Sequence, residues 1–64
     1  MDRVDLKDKI EFWMKKIACY KVEIELVMIT TKNEKARENL QEAIANLAKA
    51  YNMLFSTYKI IDEG

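Results

Sequence analysis

The chain of 64 residues holds one thiol, Cys19, and no histidine. Without an imidazole the commonest general base is missing, and no zinc set of histidine and cysteine ligands can be assembled. Cys19 would act as a nucleophile only as its thiolate, which needs a cationic and accessible setting. Lys15, Lys16 and Lys21 are near it in sequence. Cys19 itself falls on an apolar stripe, however, where a small hydrophobe needs no further role. Glu23, Glu25, Glu38 and Glu42 are raw material for a dinuclear metal site. Such sites in helical bundles take Glu-x-x-His from two helices, with the carboxylates facing inward. Here the histidines are absent and the glutamates lie off the apolar seams, so a solvated face accounts for them. No catalytic residue, metal ligand or cofactor is expected, and the chain reads as non-enzymatic.

Lys7, Lys9, Lys15, Lys16 and Lys21 gather around Phe12 and Trp13, a mixture that suits nucleic acid. Asp5, Asp8 and Glu11 share the same turns, and eleven basic against eleven acidic residues leave no net charge. No long-range field then gathers phosphate, so a nucleic-acid partner is the runner-up class, and Trp13 is expected in the core. A ligand-binding bundle ranks below it. No apolar run exceeds four residues, Leu26 to Ile29 being one, against the roughly 20 that span a bilayer. The opening MDRVDLKDK lacks the apolar core of a signal peptide, so no membrane partner and a cytoplasmic setting are expected.

The elements that carry these residues read as two long helices in one domain over 1–64. Proline is absent and the single glycine is residue 64, so nothing punctuates the interior. A first helix is expected over about residues 5–29, capped by Asp2 or Asp5. A turn follows at 30–33, then a second helix over about 34–61. Thr31 with Glu34 fits a capping box, and Asn33 is the alternative cap. So short a turn folds the second helix back antiparallel.

Leu6, Ile10, Trp13, Ile17, Tyr20, Ile24 and Val27 alternate steps of four and three, the seam of a coiled coil. Met14 and Met28 would flank it. Leu40, Ile44, Leu47, Tyr51, Leu54, Tyr58 and Ile61 do the same on the second helix, with Ala36, Ala43, Ala50 and Thr57 beside them. The seams pair Leu6 with Tyr58 at one end and Ile24 with Leu40 at the other. Phe12, Cys19, Val22, Leu26 and Ile29 form a second stripe across the first helix, interrupted by Lys15. One partner helix cannot cover both sides. The expected fold class is therefore all-α: a two-helix hairpin that pairs through this stripe with another copy, as a homodimeric four-helix bundle. The expected task is that of a small interaction or regulatory module, with a further protein as a possible partner.

The competing reading makes residues 20–31 a strand at the centre of a helix-strand-helix dimer, because YKVEIELVMITT alternates charged with β-branched residues. In size and inferred architecture the chain is similar to small dimeric helical hairpins such as plasmid copy-number regulators. The likeness is one of fold, with no shared motif.

Overall fold

The computed structural model describes residues 3–64 and consists of two α-helices, α1 (Arg3–Thr30) and α2 (Glu34–Glu63), packed side by side as an antiparallel hairpin. Its Cα atoms span 47 Å by 14 Å by 14 Å, about the length that 30 residues give at 1.5 Å rise per residue. Residues 20–30 are helical, so the strand reading is overturned. The heptad that runs through Ile17 and Ile24 prevails over local β-propensity, which is the weaker and more context-dependent signal. Asp5 lies in the first turn of α1, where its charge suits the helix dipole, instead of capping it. The alternative cap, Asp2, lies outside the described residues.

The turn is built from side-chain hydroxyls and one amide. Thr30 and Thr31 both donate through Oγ1 to the carbonyl of Val27, at 2.9 and 2.7 Å. These bonds satisfy an oxygen that the end of α1 would otherwise leave to water. Asn33 caps α2: its Oδ1 accepts from the amide of Ala36 at 3.0 Å, with φ −78° and ψ 118°. The Thr31–Glu34 capping box does not form, because the Thr31 hydroxyl is engaged backward with α1. At the far end, the amide of Gly64 closes α2 on the carbonyl of Ile60 at 3.0 Å.

On α2 the seam lies where expected. Leu40, Ile44, Leu47, Leu54, Tyr58 and Ile61 are half-buried, while Tyr51 is 37% exposed. On α1 the seam is rotated by one residue at every second position. Ile10, Ile17 and Ile24 face α2 as expected, but their companions are Met14, Lys21 and Met28. Trp13, Tyr20 and Val27 instead stand out at 45, 50 and 55% exposure. Ala43, Ala48 and Ala50 are half-buried beside the α2 seam. Unbranched Met and the stem of Lys can adapt to the space beside such small side chains, with the Lys21 ammonium free to reach water.

Candidate self-association face

With α2 seated on the seam of Ile10, Met14, Ile17, Lys21, Ile24 and Met28, the second stripe of α1 points away from it. At about 100° per residue the stripe lies about 150° round the helix from that seam. Phe12, Val22, Leu26 and Ile29 are each more than half exposed, Ile29 the most at 73%, and Cys19 is exposed among them. All five residues expected at an interface are thus brought onto one uncovered side of one helix. Lys15 falls on the same side, one step from Phe12 in the three-four rhythm, and is exposed. A row of Lys9, Lys16 and Glu23 separates this stripe from Trp13, Tyr20 and Val27, so α1 exposes two apolar strips rather than one. The second strip is not legible in the sequence, where the four-three spacing assigns its residues to the seam. Their four-three spacing with the isoleucines holds equally well on either shoulder.

The polar contacts between the helices concentrate at the open end of the hairpin. Lys7 pairs with Asp62 and its ammonium lies 5.2 Å from the centre of the Tyr58 ring. The Tyr58 hydroxyl donates to Glu11 Oε1 at 2.9 Å. The hydrogen bond to Asp62 raises the pKa of Lys7 above the ordinary lysine value and lowers that of Asp62. Donation to Glu11 raises that of Tyr58. This cluster clasps α1 to α2 and has the makings of a structural latch rather than of a reaction centre. Elsewhere, Lys16 lies 5.3 Å from the centre of the Phe12 ring, and Lys59 5.5 Å from that of Phe55. Both are cation–π contacts that half-cover an exposed ring.

A groove of about 360 Å³ runs along the other shoulder of the hairpin, opened by Ala18 and Ala48 and lined also by Lys21, Val22, Glu25, Tyr51 and Asn52. No histidine, thiol or carboxylate pair converges in it. Glu23, Glu25, Glu38 and Glu42 are all exposed, and among the described residues no three potential ligands come together for a metal. Neither helix, over the described residues, is long and apolar enough to cross a membrane. The comparisons add no relative. No protein-family model, curated protein or solved structure matches the chain. The uncovered stripe on α1 is therefore the candidate site on its own geometry.

Proposed function

We propose that the chain is a small non-enzymatic interaction module that self-associates through the far stripe of α1. The homodimer is a four-helix assembly with the two copies of α1 at its centre and Phe12, Cys19, Val22, Leu26 and Ile29 in the contact. The observation that carries this reading is the amount of surface left open. The hairpin exposes 5199 Å², whereas a folded monomer of its 7.6 kDa exposes about 4,300 Å². The excess of about 900 Å² per chain is close to the roughly 800 Å² that each partner contributes to a standard interface. Within the hairpin itself Ile10 is the sole fully buried side chain among the described residues. So thin a core favours completion by a second copy.

Light scattering tests this directly, with circular dichroism on the same sample. The wild-type chain is expected at twice 7.6 kDa. Leu26→Lys replaces an apolar contact residue with an uncompensated charge, and should give a monomer that has lost much of its helicity. A monomeric wild type, or a Leu26→Lys chain that remains a folded dimer, would remove the far stripe from the assembly.

One observation favours a second reading. Trp13 stands exposed beside Lys9 and Lys16 instead of lying in the core, and an accessible aromatic among lysines is a stacking platform for single-stranded nucleic acid. Zero net charge weighs against it. The two readings separate by salt, since phosphate contacts weaken steeply with ionic strength and an apolar contact between copies does not.

A further inference from the structure

We infer that the second copy lies antiparallel to the first along the far stripe, an orientation selected by the charges in and beside the stripe. This rests on the self-association reading above, and deepens it by fixing which residues meet.

The far stripe, from Phe12 through Lys15 to Ile29, alternates steps of three and four, so it is a coiled-coil seam in its own right. Two antiparallel copies centred between residues 20 and 21 set Phe12 against Ile29 of the second copy, Cys19 against Val22, and Lys15 against Leu26. Each of these contacts occurs twice about the two-fold axis. Lys15 then meets carbon near the end of the contact, where its stem lies along Leu26 and its ammonium reaches water. Parallel copies would set Lys15 against Lys15 inside the seam, two like charges in a partly desolvated contact. Antiparallel packing avoids that repulsion.

The flanking row makes the orientation measurable. Antiparallel copies place Lys16 opposite Glu23 of the second copy, twice, whereas parallel copies place it opposite Glu11. Among the described residues the one ion pair is Lys7 with Asp62, so Lys16 and Glu23 are both unpaired within the hairpin. Glu11 already accepts from Tyr58 at 2.9 Å. The partner that antiparallel packing requires is thus the uncommitted one. Lys16 also lies over Phe12 at the edge of the stripe, already positioned beside the contact.

Three variants, each followed by light scattering over a dilution series and by circular dichroism for helicity, test the orientation. Lys16→Glu should raise the dimer dissociation constant on the order of ten-fold, because two attractive pairs become repulsive. Adding Glu23→Lys to the same chain should return it to within about two-fold of wild type, while adding Glu11→Lys should not. Residues 16 and 23 are about 10 Å apart along one helix, so rescue has to pass through the other copy. Rescue by Glu11→Lys alone, rescue by neither, or a dissociation constant unmoved by Lys16→Glu would overturn the antiparallel register while leaving self-association standing. A wild-type chain that is monomeric throughout the series would overturn the reading beneath it.

Discussion

Ile10 is the residue on which the hairpin closes. It is 2% exposed, and the clasp of Lys7, Glu11, Tyr58 and Asp62 sits around it at the open end of the two helices. Truncation to alanine leaves a void that long, straight helices cannot easily collapse into. Ile10→Ala should therefore cost about 3 kcal/mol, read as a lower thermal midpoint, whereas Val4→Ala on an exposed position of the same helix should cost little. Equal effects from the two substitutions would show that burial at Ile10 is not what holds the helices together. The isoleucines at 10, 17 and 24 were legible in the sequence as seam residues. Their companions were not, because Trp13, Tyr20 and Val27 on one shoulder and Met14, Lys21 and Met28 on the other keep the same rhythm with them. Hydropathy points to the first set. Packing against α2 selects the second, and that surface is made of residues far away in the chain.

The two helices are each longer than their expected spans by a turn or less, and the turn between them lies within the expected residues. Absence of proline and of interior glycine carried most of that reading, since nothing else in the chain breaks a helix. The choice of cap was harder to see. Thr31 and Asn33 both suit the role by type, and the outcome depends on whether the Thr31 hydroxyl turns back to Val27, which it does. Asn33→Ala therefore removes the bond to the amide of Ala36 and should destabilise the protein by about 1 kcal/mol in denaturant unfolding, while Asn33→Ser should be nearly neutral. Thr31→Ala should cost less than Asn33→Ala. The reverse order would mean that the start of α2 depends on the capping box after all.

Across the whole molecule, folding and assembly are coupled if the far stripe needs a second copy, and mass action then enters the melting curve. Each tenfold dilution weakens a dimer by about 1.4 kcal/mol, and a folded pair of this combined length should lose about 5 °C from its thermal midpoint. Trp13 reports which side of α1 is covered while this happens. It lies on the strip about 130° round the helix from the far stripe, so in the proposed dimer its indole stays open to a neutral quencher such as acrylamide at every concentration where the chain is folded. Were Trp13, Tyr20 and Val27 the contact instead, quenching would fall as concentration rises and the emission would shift to the blue. A midpoint that ignores dilution argues for a self-sufficient hairpin, and one that follows dilution together with a shielded Trp13 moves the interface to the other strip. Dilution sensitivity with an accessible indole is the combination that places the far stripe, and Leu26 within it, between the two copies.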